Sequence, residues 1–130
     1  MKFLVDTHCW LWLQASPQRL SPEVLLLLGN PDNDLLLSAA SSWEIAIKYA
    51  LGKLPLPEPP SRYVPRRMAV SGSRGLAVEH AHTLRVADLP MHHRDPFDRL
   101  LVAQAQIEKL VLVTVDPQFE SYEVEIRRGC

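Results

Sequence analysis

The apolar residues of this chain fall in short unbroken runs, and no other feature narrows its choice of folds as far. Lys2-Phe3-Leu4-Val5 stops at Asp6, Asp34-Leu35-Leu36-Leu37-Ser38 repeats the pattern, and Leu110-Val111-Leu112-Val113-Thr114-Val115 ends at Asp116-Pro117. A strand with one wet face alternates apolar and polar residues, whereas a strand covered on both faces does not. The runs therefore predict buried strands of a parallel sheet. Leu76-Ala77-Val78 supplies a shorter strand, and residues 122–126 an edge strand.

Helical stretches lie between the runs. Residues 7–13 continue into a helix stopped by Ser16-Pro17, and Ser21-Pro22-Glu23 opens another over 24–28 that ends at Gly29-Asn30-Pro31. Residues 41–51 form a third, with serine at its start and Gly52 at its close. A fourth covers 79–86. Asp95-Pro96 opens the last: aspartate caps free N–H groups, and proline fits the first helical position without losing a needed donor. Over 97–107, Phe97, Leu100, Leu101, Ala103, Ala105 and Ile107 spread apolar surface around the helix, which predicts burial on more than one side. Prolines and arginines (Arg62, Arg66, Arg67, Arg74) accumulate over 53–75, a surface excursion with one short helix at 63–70. Strands alternating with helices predict an α/β sandwich around a mainly parallel sheet, with functional groups at the carboxyl ends of the strands.

At 130 residues the chain reads as a single domain, 1–130, long enough for a real core. Hydrophobic residues make up 47% and charged residues 22%, which excludes a disordered chain. A net charge of −1 argues neither for nor against nucleic acid, so any such binding needs a local basic patch. No stretch approaches the ~18 apolar residues that span a bilayer, so no membrane role is expected. Asp6 and His8 interrupt the apolar N-terminus, and no small-residue cleavage site follows. Cys9 and Cys130 make no disulfide framework, and a reducing, cytoplasmic setting is expected.

Each notable carboxylate has a structural explanation. Asp6 suits the cap of the helix after its strand. Glu44 lies three residues after Ser41, the capping-box spacing, and four before Lys48, the ion-pair spacing. Asp98 is favoured in a first turn by the helix dipole, Asp116-Pro117 opens a turn, and Asp95 caps its helix. Their shared placement is left unexplained: Asp6 and Asp116 end strands, while Glu44 and Asp98 lie near helix starts. Brought to one place, such like charges repel unless a cation neutralises them, and an all-oxygen cluster suits a hard ion, Mg²⁺ or Mn²⁺.

The segments Leu4-Val5-Asp6-Thr7-His8, Ser42-Trp43-Glu44-Ile45-Ala46-Ile47-Lys48, Leu51-Gly52-Lys53-Leu54, His93-Arg94-Asp95-Pro96-Phe97-Asp98-Arg99-Leu100-Leu101 and Val113-Thr114-Val115-Asp116 occur in order. Together they resemble the PIN-domain ribonucleases, specifically the VapC-type toxins of bacterial toxin–antitoxin pairs. The resemblance implies a PIN fold and a Mg²⁺-dependent endoribonuclease. It places the family's acidic quartet on Asp6, Glu44, Asp98 and Asp116, with Asp6 and Asp98 as principal metal ligands. Asp95 matches an auxiliary acid, and Thr114 the hydroxyl residue before the last aspartate. The resemblance also implies a homodimer and a cognate VapB-type antitoxin that occludes the acidic site.

RNA held beside such a cluster needs cations, and Arg94, Arg99 and Lys48 flank the motifs. Lys48 equally pairs with Glu44, and the Arg62, Arg66 and Arg67 cluster equally forms a solvated helix face. His92-His93 and His80/His82 have poor zinc spacing and read as surface or hydrogen-bonded histidines. A receiver-type domain wants an acidic pair after its first strand, and a haloacid-dehalogenase-like phosphatase a second aspartate at position 8; Thr7 and His8 stand there instead. The remaining alternative is a non-catalytic PIN-like module that binds RNA or protein.

Overall fold

A computed structural model describes residues 1–129; Cys130 lies outside the described residues. The first strand, β1 (Lys2–Val5), is followed by α1 (Thr7–Ala15) and α2 (Pro22–Gly29), then β2 (Asp34–Ser38) and α3 (Ala39–Ala50). After them come α4 (Pro60–Ser71), β3 (Ser73–Leu76), α5 (His80–Arg85), α6 (Pro96–Glu108), β4 (Val111–Thr114) and β5 (Ile126–Arg128). The five strands form one sheet in the order β3-β2-β1-β4-β5, and every pairing is parallel. No helix among the described residues is long and apolar enough to cross a membrane.

The unbroken apolar runs follow from two-sided burial. Phe3, Leu4 and Val5 are all fully buried: Phe3 and Val5 pack with Trp10, Val24 and Leu35 on one face, and Leu4 packs with Leu101, Val102 and Phe119 on the other. Val111 and Val113 join the first core, Leu112 the second. Each face is covered by helices, so neither side of the central strands needs a polar residue.

This strand order creates a switch point. The chain runs outward from β1 through β2 to β3, then returns to lay β4 against the opposite side of β1. In open α/β sheets the crevice at such a reversal, beyond the carboxyl ends of the strands, is where ligands bind. Asp6 and Asp116 both lie just past that end.

Four local expectations are corrected. The helix carrying Glu44 is capped three residues earlier than the serine pattern implied, by Ser38 rather than Ser41, the Ser38 hydroxyl accepting from the Ala40 N–H at 3.0 Å. Ser41 is therefore inside the helix, and no capping box forms with Glu44. The proline-rich segment holds a 12-residue helix, α4, longer than the short helix expected over 63–70. It opens on Pro60, drives Tyr63 and Val64 into the core, and ends at Gly72, whose φ of 69° is the left-handed conformation that glycine adopts freely. Burial of Tyr63 and Val64 offsets the cost of Pro65 within the helix. The third strand is Ser73–Leu76, shifted toward the N-terminus, and the edge strand is Ile126–Arg128, leaving Tyr122 as a buried side chain before it.

Candidate metal centre

Parallel register sets the first pair of site residues side by side. Val5 pairs with Val113, and the Asp6 N–H donates to the Val113 carbonyl at 2.9 Å, which places Asp6 beside Thr114. The fully buried Thr114 hydroxyl donates to Asp6 Oδ2. Asp6 also caps α1, with Oδ1 accepting from the Cys9 N–H at 2.8 Å. Each carboxylate oxygen has two lone pairs, so a capping oxygen still has capacity for a ligand. Burial pushes the Asp6 carboxyl above its ordinary range, against the pull of the Thr114 and Cys9 hydrogen bonds.

Asp98 stands in the first turn of α6. Asp95 caps this helix, Oδ1 accepting from the N–H groups of Phe97 (2.9 Å) and Asp98 (3.1 Å). The Asp98 carboxyl is pushed up to about 8, chiefly by burial and then by the negative charges of Asp95, Asp6, Glu44 and Asp116. Acids from the ends of β1 and β4, from α3 and from the cap of α6 thus all act on Asp98 at the switch point.

Glu44, on α3, is buried. Its Oε2 accepts from Lys48 Nζ at 2.7 Å, the ion pair that the i, i+4 spacing predicted. Its Oε1 is buried with no hydrogen-bond partner among the described residues. An orphaned buried carboxylate oxygen costs free energy unless something cationic or protic meets it. Lys48 is held protonated beyond its ordinary range, first by the Glu44 hydrogen bond and further by the charges of Asp95 and Asp98.

Asp116 caps the short helical turn Pro117–Ser121, its Oδ1 accepting from the Gln118 N–H at 2.9 Å. Its Oδ2 lies 3.0 Å from Nε2 of His93, which is also 2.9 Å from Oδ2 of Asp98. The spacing of His93, Asp98 and Asp116 is close enough for one ion, their donor atoms lying within 4.8 Å of one another. Asp6 and Glu44 reach Asp98 through their charges, and Glu44 keeps a spare buried oxygen; carboxylate oxygens of this kind are the donors a hard divalent cation prefers.

His93 is the site residue that sequence reasoning missed. It opens the resembling block His93 to Leu101, but the His92-His93 pair has no ligand spacing that gives it a role at the acids. Its position depends on Arg99, and here the expectation of an RNA-phosphate contact is corrected: Arg99 is not a phosphate ligand. It is buried, and its guanidinium donates to the carbonyls of Pro90 (3.0 Å), Val86 (3.0 Å), Leu89 (3.4 Å) and His93 (3.5 Å) and to the Tyr122 hydroxyl (3.3 Å). Those bonds fold the loop that delivers His93. Of the other cations, Arg94 is exposed beside the site, Arg66 pairs with Glu58 at 2.7 Å, and Arg67 binds the Gln14 side chain at 3.1 Å.

A parallel five-stranded α/β sandwich with acids gathered at its switch point defines the class of fold. Among solved structures, VapBC2 from Rickettsia felis bound to a DNA fragment from their promoter superposes with a TM-score of 0.73 at 16% identity, covering 100% of both chains. DNA-bound VapBC from Salmonella typhimurium gives 0.68 at 18%, covering 100% of this chain and 99% of that one. The PIN domain family model matches residues 3–125, and the chain belongs to that family. It is also 65% identical over 61 residues to Ribonuclease VapC16 of Mycobacterium tuberculosis (strain ATCC 25618 / H37Rv), a stretch that is 47% of this chain and 43% of that relative.

Proposed function

We propose that the protein is a Mg²⁺-dependent endoribonuclease of the VapC type, a toxin neutralised by a cognate VapB-type antitoxin. The observation that carries the reading is the gathering of acids at the switch point: Asp98 and Asp116 meet at His93 Nε2, 2.9 and 3.0 Å away, and Glu44 keeps a buried oxygen with no hydrogen-bond partner among the described residues. Such a cluster is costly in a protein that makes no use of a cation. The 65% identity to part of a protein named as a ribonuclease supports the chemistry, and the VapBC complexes of the same fold support the antitoxin partner.

In this reading Asp6 and Asp98 hold the ion, and Glu44 and Asp116 complete the site. A bound Mg²⁺, with Mn²⁺ as substitute, supplies Lewis-acid polarisation of a phosphate oxygen and lowers the pKa of a neighbouring water. Thr114 fixes the rotation of the Asp6 carboxylate through its hydroxyl. Asp95 holds the first turn of α6, and with it Asp98, in place. Arg94 and Lys48 meet the RNA phosphates at the rim. The products are a 5′-phosphate and a 3′-hydroxyl. Exposed apolar side chains on and beside α3, Trp43 at 61% and Leu51 at 62%, suit coverage by the antitoxin or a second copy in a homodimer.

The test is incubation with a mixed RNA pool in Mg²⁺ or in EDTA. Cleavage abolished by chelation is the expected result. Binding without cleavage in either condition refutes the nuclease and leaves a PIN-like binding module.

A further inference from the structure

We infer that His93 is a clamp and not a metal ligand: its Nε2–H holds Asp98 and Asp116 together in the metal-free protein, and a divalent cation must take those two carboxylates from it. The inference rests on the reading of the acidic cluster as a cation site and adds a competitor built into the chain.

The ring is fixed on every side. The His93 N–H donates to the Tyr122 hydroxyl at 2.8 Å, and the ring meets Phe119 edge to face with centroids 5.7 Å apart. The Asp95 N–H donates to Nδ1 at 3.2 Å. A nitrogen that accepts an N–H carries no hydrogen, so the imidazole proton sits on Nε2. That N–H points between Asp98 Oδ2 at 2.9 Å and Asp116 Oδ2 at 3.0 Å.

Histidine ligates metal through a bare ring nitrogen. Turning Nε2 into a ligand moves the proton to Nδ1, where it faces the Asp95 N–H, two donors with no acceptor between them. The spacing of the three residues resembles a ligand set, yet the hydrogen-bond pattern assigns His93 the opposite role. Its donor gathers two carboxyl groups on one atom, and once both are ionised it offsets their repulsion, which is the service a cation performs when bound. Both need the same oxygens. Loss of His93 leaves the acids unrelieved in the metal-free protein, so the cation relieves more on binding and binds more tightly.

The experiment measures Mn²⁺ binding calorimetrically to the full chain and to His93→Ala, with thermal unfolding in EDTA. The cation no longer has to displace a hydrogen bond to charged groups, so the variant is expected to bind Mn²⁺ about tenfold more tightly or better. It also melts at lower temperature in EDTA and gains more on adding Mn²⁺. Equal or weaker binding by the variant overturns the clamp while leaving the cation site standing. Absence of Mn²⁺ binding by both proteins overturns the clamp and the cation site together. Should His93→Ala fail to fold, imidazole ¹⁵N NMR of the wild-type chain decides: a protonated Nε2 and bare Nδ1, kept on adding Mg²⁺, support the clamp. A proton on Nδ1, or loss of the Nε2 proton when Mg²⁺ is added, overturns it.

Discussion

Thr114, at the end of β4, gives its hydroxyl hydrogen to Asp6, just past the end of β1, and so links residues 108 positions apart across the switch point of the sheet. The same hydroxyl oxygen accepts from the Asp116 N–H at 3.0 Å. One buried threonine therefore sets the orientation of the first acid and the approach of the last. Replacing it with valine keeps the shape and removes both bonds. Thr114→Val is expected to cost about 1–2 kcal/mol in chemical denaturation and to lower metal-dependent RNA cleavage by about 10- to 100-fold, the range seen when partners of metal ligands are removed. Cleavage at the wild-type rate shows that Asp6 needs no such guide.

The pH dependence of the metal-free protein follows from Asp98. Its folded carboxyl titrates at about 8, against 3.8 for the ordinary group, so between those values the folded chain keeps a proton that the unfolded chain has lost. Stability then falls as pH rises through this window and levels off above about 8. Melting temperatures in EDTA from pH 5 to pH 9 are expected to show this decline for the wild type and a shallower one for Asp98→Asn. Parallel curves for the two proteins contradict the assignment. With RNA and Mg²⁺, Asp98→Asn stays folded and does not cut.

Arg99 is expected to matter for stability before it matters for RNA. Arg99→Ala strands four loop carbonyls and the Tyr122 hydroxyl and is expected to cost about 3 kcal/mol of unfolding free energy, measured in urea. A loss under about 0.5 kcal/mol shows that the loop folds without it.

Arg94, exposed at the rim, gives the contrasting outcome. In the cleavage-deficient Asp98→Asn background, Arg94→Ala is expected to leave the melting temperature unchanged and to reduce the slope of log K against log salt for RNA binding by about one phosphate's worth. An unchanged slope removes Arg94 from the RNA-contacting surface.

The features that were legible in the sequence are those set by local chemistry. Asp95-Pro96 announced the start of α6, Glu44 and Lys48 announced their ion pair, and the unbroken run around Leu4 announced a strand buried on both faces, because each depends on neighbours a few residues away. Ser38 was hidden as a cap because it is also the last residue of β2, where strand and helix meet without a loop. The extent of α4 was hidden because proline marks loops in isolation, while Tyr63 and Val64 hold this helix by packing against distant strands. His93 and Arg99 were hidden or misassigned because their partners, Tyr122, Asp116 and the carbonyls of residues 86–93, come together only in the folded loop.

The central claim is that carboxylates from separate elements hold one kind of guest, a divalent cation, at the end of β1 and β4. Anomalous scattering from crystals soaked in Mn²⁺ tests it directly. The account predicts density bounded by Asp6, Glu44, Asp98 and Asp116 that disappears in Asp98→Asn. Crystals that take up Mn²⁺ elsewhere, or show none among these four side chains, contradict it.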